Sequence, residues 1–464
     1  MVFSSLLFLT LFLPLTLFLH DRLPGHLRNA LLLVVSLLFY AWGEPKHIFL
    51  MLLTSLYIWM FGLGVEQLRA AQKASAAKAL TVFGTVLSLA TLGYFKYFGF
   101  LTENLPFLGG NAAPALPIGI SFYTFQALSY LIDVNRGSVK AQKNWVNFAM
   151  YLSFFPQLIA GPIVRYADVE KQITDRKISA AKRNRGAVRL AVGLGKKVLL
   201  ANQIGAVWTE ISAGSGLSTL GAWLGAVAFA FQIYFDFSAY SDMAIGMGLM
   251  FGFRFPENFC YPYQSASVSE FWRRWHISLG SWFREYVYIP LGGNRKGTAR
   301  QILNLLIVWT LTGFWHGAAW QFLLWGVYYF AALVVEKFVL KPWLEHAPGW
   351  VRHGYTLLVV LFGWVLFACP NVPAAMGFYR AMLGIGVPLW DDAALFALHG
   401  NRWLLLMLAI GCTSVPADTI HRIRSRYASG PVRRVIFGAS AAVVWICVAF
   451  LVADSYNPFL YFRF

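Results

Sequence analysis

Gln301 to Val335, QILNLLIVWTLTGFWHGAAWQFLLWGVYYFAALVV, runs from Arg300 to Glu336 without a single Asp, Glu, Lys or Arg. A helix needs about 20 apolar residues to cross the hydrocarbon of a bilayer, so this stretch is too long for one perpendicular span. It is expected to be strongly tilted or broken into two pieces, and the apolar stretch 219–251 raises the same expectation. Broken helices at membrane depth occur where they line a cavity. Outward from these two, apolar segments run roughly over 1–19, 29–42, 47–64, 79–101, 115–134, 145–164, 190–208, 354–369, 403–415 and 435–453.

The whole chain follows this pattern. Its 464 residues are 58% hydrophobic and only 12% charged, against roughly 25% charged in an average soluble domain, so polar side chains are too few to cover a surface in water. The fold class is therefore an all-α polytopic membrane protein, with on the order of 10 to 13 transmembrane or re-entrant helices. No low-complexity linker or fixed-period repeat divides it, so residues 1–464 are read as a single membrane domain. Met1 to Leu19 lacks the basic start and small-residue cleavage site of a signal peptide and is expected to stay as the first span. Phe154 to Pro162 carries two prolines and a glycine between two basic loops, so it is expected to re-enter the membrane or to break the charge rule locally.

The net charge of +18 comes from 38 Lys and Arg against 20 Asp and Glu. The cations gather in loops, chiefly Arg165 to Arg189, Arg254 to Arg300 and His421 to Arg434, as retention of cationic loops on the cytoplasmic side produces. The partner implied is the lipid bilayer, not nucleic acid. Cys260, Cys369, Cys412 and Cys447 show no CxxC spacing and read as packing residues.

Of nine histidines, two stand apart. His316 lies in the middle of the uncharged run, where a full charge is disfavoured by roughly 2.5–3.5 kcal/mol, so an ionisable group there is normally turned to a polar cavity. Gly313 and Gly317 flank it at a spacing that lets a neighbouring helix approach, while Trp315 and Trp320 supply bulk. His276 lies in Ser269 to Tyr286, where Phe271, Trp275, Leu279, Trp282 and Tyr286 recur at helical spacing. That pattern predicts an amphipathic helix at the membrane interface, on which a histidine also occurs without a chemical role.

An imidazole in a dry pocket suits general base work on a hydroxyl. Metal binding is the competing use, but no HExxH, HxH or cysteine cluster supplies further ligands, so no metal is expected. GxSxG, GxGxxG and Walker loops are absent as well. A second polar feature is the run around Asp236, Ser238, Tyr240 and Asp242. Its acids are expected to face protein or water, pairing with Arg273 or Arg274 or carrying protons in a transporter.

Asp236 to Gly246, Phe271-Trp272-Arg273-Arg274-Trp275-His276-Ile277-Ser278 and Gly313-Phe314-Trp315-His316-Gly317-Ala318 together resemble the membrane-bound O-acyltransferase superfamily, nearest to its bacterial alginate O-acetyltransferase type. Leu116 to Gln126, Gln157 to Ile163, the opening Met1 to Ser5 and the ending Asn457 to Phe464 extend the likeness along the chain. The resemblance implies spans ringed about a central funnel, with His316 as the family's invariant histidine and His276 as its second. It implies a multi-pass protein of the bacterial inner membrane that holds no cofactor. Acetyl groups would come from a cytoplasmic donor, acetyl-CoA, and pass to a separate periplasmic SGNH-type acetyltransferase that modifies an exopolysaccharide such as alginate, or peptidoglycan. In that frame Arg273 and Arg274, with Asn294, Arg295 and Lys296 in their glycine turn, would balance the donor's phosphates, and the indoles of Trp275 and Trp315 would line the substrate. The competing class is a multispanning transporter or flippase for an anionic or lipid-linked substrate, which no inverted repeat supports.

Overall fold

The computed structural model describes residues 2–105, 107, 114–159, 161–214, 216–426, 430–453, 459 and 460, and among these there are helices and no strands. The expected motif at Asn457 to Phe464 lies almost wholly outside the described residues, as does Ala160. The chain divides into two compact units, one of Met1–Leu190, Tyr240–Glu257 and Leu451–Phe462, the other of Ala191–Ala239, Asn258–Phe450 and Arg463–Phe464.

The first unit begins with α1 (Leu13–Arg22), α2 (Arg28–Gly43), α3 (Ile48–Ala70) and α4 (Ala74–Asn104), then α5 (Ile120–Arg136), α6 (Trp145–Ser153), α7 (Phe155–Leu158), α8 (Tyr166–Thr174) and most of α9 (Ala180–Gly195). Leu38 on α2, Phe49 on α3 and Val86 on α4 are exposed large apolar side chains, which belong against hydrocarbon and not water. By contrast α5 is buried on all sides from Ile120 to Leu131, so its apolar residues serve packing. It starts at Gly119, whose φ of +77° and close approach to the Leu158 carbonyl leave no room for a Cβ. The Phe154 to Pro162 segment is a break. After α6 ends, the Phe155 amide donates to Ser36 Oγ at 3.1 Å and Pro156 opens the single turn of α7.

The second unit holds α10 (Asn202–Ala213), the first part of α11 (Thr219–Met250), α12 (Val268–Arg274), α13 (Ile277–Phe283), α14 (Thr298–His316) and α15 (Trp320–Val335). It continues through α16 (Lys341–His346), α17 (Gly349–Ala368), α18 (Val372–Met382), α19 (Asp392–Gly400), α20 (Arg402–Gly411), α21 (Val415–Arg426) and most of α22 (Gly430–Ala453). The two overlong apolar stretches resolve differently. α11 is one unbroken helix of 32 residues, about 48 Å of rise, which must tilt to fit a bilayer. The 301–335 run is broken at Gly317 to Ala319 into α14 and α15.

Among the described residues eight helices are long and apolar enough to cross a membrane, and the pair α19 and α20, bent by 58°, makes a ninth as one broken span. The chain is thus an all-α polytopic membrane protein. This count falls below the 10 to 13 read from the sequence for a physical reason: segments such as 115–134 and 145–164 form helices of 17, 9 and 4 residues, which are apolar because protein surrounds them.

Candidate functional site

His316 is the last residue of α14, and its position is set by how α14 meets α15. A Cβ on Gly313 would strike the Phe322 carbonyl oxygen, and one on Gly326 would strike that of Trp309, so the two backbones touch where only glycine fits. Gly317 is not the second member of a helical glycine pair. It follows the helix in extended conformation, with φ −167° and ψ 151°, and turns the chain toward α15. His316 is 7% exposed. Its ring meets the edges of Trp315 at 5.0 Å, Trp325 at 5.1 Å and Phe367 at 5.3 Å, each nearly perpendicular.

The expected amphipathic helix over 269–286 is interrupted at the second histidine. α12 stops at Arg274, Trp275 is extended, His276 takes a left-handed conformation with φ 44° and ψ 52°, and α13 begins at Ile277. The cause is a tertiary backbone pairing that the helical pattern does not contain. The Cys260 amide donates to the Arg274 carbonyl at 2.9 Å and the Ile277 amide to the Asn258 carbonyl at 3.0 Å, which pulls the chain out of the helix between them.

Asn258 also fixes the imidazole of His276. Its Oδ1 accepts from the Ser278 amide at 3.2 Å and from Ser278 Oγ at 2.9 Å, and lies 3.2 Å from His276 Nδ1. Because that oxygen can only accept, Nδ1 carries the hydrogen and Nε2 presents a lone pair. His276 Nε2 is buried with no hydrogen-bond partner among the described residues. Burial pushes the pKa of His276 down from 6.5 to about 3, so the ring is neutral. Phe237 covers one side at 4.8 Å, and the Trp315 ring lies 5.9 Å away. The indole of Trp315 therefore borders both histidines, and all of these groups belong to the second unit.

The remaining expected site residues separate. Trp275, adjacent to His276 but on an extended residue, packs 4.8 Å from Trp364 and 5.0 Å from Phe259, and reaches the Trp325 and Phe367 rings beside His316 only through Trp364. Arg273 is exposed, while Arg274 pairs with Glu270 at 2.6 Å. Neither arginine takes up the acids of α11, contrary to the expectation. Asp236 pairs with Lys197 at 2.6 Å inside the second unit, both side chains being fully buried, and Asp242 pairs with Arg189 at 2.8 Å inside the first. Ser238 is buried, and Tyr240 stacks on Phe3 at 4.7 Å. Asn294, Arg295 and Lys296 are exposed on a turn whose Gly293 carbonyl accepts from the buried Asn304 side chain at 2.9 Å. That turn lies at the opposite end of α14 from His316, about 28 Å away by helical rise.

Asn258, Asn304 and Lys197 were missed in the sequence. Their partners lie 18, 11 and 39 positions away, beyond any local pattern, and only Asn304 and Lys197, set in apolar helical segments, carried a local signal.

The profile of the membrane-bound O-acyltransferase family matches residues 142–376, which contain both histidines. The chain is 39% identical to a Pseudomonas putida protein named "Probable alginate O-acetylase AlgI", over 100% of both chains. It is 42% identical to the protein of the same name from Pseudomonas aeruginosa, over 89% of this chain and 79% of that one. A Helicobacter pylori peptidoglycan O-acetyltransferase is 31% identical, over 100% of this chain and 98% of the relative. These likenesses displace the transporter reading: the protein is an acyltransferase and belongs to the membrane-bound O-acyltransferase family.

Proposed function

We propose that this chain is an inner-membrane O-acetyltransferase. It moves acetyl groups from a cytoplasmic thioester donor, acetyl-CoA, toward a periplasmic acetyltransferase partner, for O-acetylation of a cell-surface or exopolysaccharide such as alginate. The observation that carries the reading is the pair of buried histidines that both border the Trp315 indole. Relatives named for alginate and for peptidoglycan acetylation support the acetyl group as cargo.

In this mechanism His316 accepts the proton of an acceptor hydroxyl, and the alkoxide attacks the thioester carbonyl carbon. A C–O bond forms, the C–S bond breaks, and the departing thiolate takes the proton back from the imidazolium. His276, neutral and with Nε2 as acceptor, orients the incoming hydroxyl and has no N–H there to offer an oxyanion. Trp325 is placed to donate to that oxyanion. Its buried indole N–H meets no acceptor among the described residues, and its ring lies beside His316. Arg273 and Arg274 flank His276 in sequence and are the cations for the donor's phosphates, whereas phosphates held at Asn294 to Lys296 would leave the thioester far along α14.

The test is His316→Ala in the native host, reading O-acetyl ester in surface polysaccharide against the amount of membrane-inserted protein. Acetylation lost at unchanged protein level is expected. Acetylation retained would overturn the assignment.

A further inference from the structure

We propose that Glu336 is a positioning residue for acyl transfer: its carboxylate clamps the first turn of α12 and so fixes the Trp272 to His276 segment against the face of α15 that borders His316. The inference rests on the reading of the two histidines as the reacting pair.

Glu336 opens the π-helical turn Glu336–Leu340 that follows α15, and it is 5% exposed. A buried carboxylate is costly unless its oxygens are satisfied. Here Oε2 accepts from the Val268 amide at 2.5 Å, and Oε1 accepts from the Ser269 amide at 2.9 Å and from Ser269 Oγ at 2.5 Å. Among the described residues no Lys or Arg lies within ion-pair distance of it. All the hydrogen-bonding capacity on view is therefore spent on one short helix. The Glu270 amide, next in line, is taken by the Ser267 hydroxyl at 3.0 Å, which completes the first turn.

The rest of the same helical stripe shows why this matters for the histidines. Trp325, Tyr329 and Glu336 are four and seven residues apart in turn and share a face. Trp272 of α12 packs on Tyr329 at 4.7 Å and on Trp325 at 5.4 Å, and Trp325 in turn lies 5.1 Å from His316. One rod thus holds α12 at its far end through Glu336, grips it midway through Trp272, and touches His316 at its near end. α12 has seven residues, too few to persist without tertiary support. Two positions beyond it His276 sits in a left-handed conformation, which survives only when the surroundings determine it fully.

The experiment uses the full chain in lipid nanodiscs, with Glu336→Gln and Ser269→Ala as variants and Glu345→Gln, at an exposed acid, as control. Two readouts are taken: amide hydrogen exchange across 268–283, and release of CoA with acetyl-CoA as the probe, water serving as the acceptor hydroxyl so that acetate is the second product. Glutamine keeps the volume of Glu336 but turns an N–H₂ toward amide donors. Expected are faster exchange confined to 268–283 and a fall in kcat of about 10-fold or more, with KM for acetyl-CoA raised as well because Arg273 and Arg274 ride on the same segment. Ser269→Ala, which removes one of the three bonds to the carboxylate and leaves the two amide bonds, shifts both readouts the same way by less. Wild-type exchange across 268–283 in either soluble variant overturns the clamp, and faster exchange at wild-type kcat overturns its role in the reaction. Failure of the underlying reading looks different: CoA release that survives His316→Ala removes the reacting pair while the exchange arm stays intact.

Discussion

His276 is a histidine that folding keeps uncharged. Burial lowers its pKa from 6.5 to about 3, so an unfolded chain takes up a proton below pH 6.5 that the native chain refuses. The stability this group permits is therefore whole above pH 6.5 and is lost as pH falls from 6.5 toward 3, by up to ~1.4 kcal/mol per pH unit. Thermal unfolding of the solubilised chain from pH 7.5 to pH 4.5 should show a steeper acid loss for wild type than for His276→Gln, and parallel curves would refute this. Of the two histidines, His316 was legible as an ionisable group in a run without a single charge. His276 stood out less, as a histidine on a supposed interfacial helix that needs no chemical role, because its holder, Asn258, is one more polar loop residue 18 positions away.

At the scale of elements, the contact of α14 with α15 rests on Gly313 and Gly326. Gly313→Ala or Gly326→Ala forces the backbones apart and should lower stability by about 1–3 kcal/mol, with a loss of activity as Trp325 draws away from His316. Gly377→Ala on α18, where a Cβ meets nothing within 4 Å, should be neutral or stabilising by up to ~1 kcal/mol. Thermal melts of the three side by side check this, and equal shifts would refute it. The sequence showed that 301–335 was too long for one span, but not that the break falls directly after His316, since glycine and alanine there also suit a close helix crossing. The break at Trp275 and His276 was hidden more deeply. Phe271, Trp275, Leu279 and Trp282 keep helical spacing and are all buried in fact, so periodicity stays satisfied while tertiary backbone bonds insert one left-handed residue.

For the molecule as a whole, composition alone gave the class, because 12% charged residues cannot solvate 464. The number of spans was less legible, since a helix encased in protein such as α5 is as apolar as one encased in lipid. The charges that are buried carry the folding cost. Lys197 and Asp236, both within helices long and apolar enough to span, pair at 2.6 Å with almost no exposure. Lys197→Met alone strands a buried carboxylate at a cost of about 3–5 kcal/mol and should deplete the protein from the membrane. Lys197→Met with Asp236→Leu should restore accumulation, as immunoblots of membrane fractions would show, and equal depletion in both would refute the pairing argument. The same pair constrains biogenesis. Asp236 is made 39 residues after Lys197, a delay of about 2–8 s at ribosomal speed. Over that interval the earlier segment carries an uncompensated ammonium group that lipid resists. Entry of the two segments together lets this ammonium and this carboxylate cancel before either has to meet lipid alone.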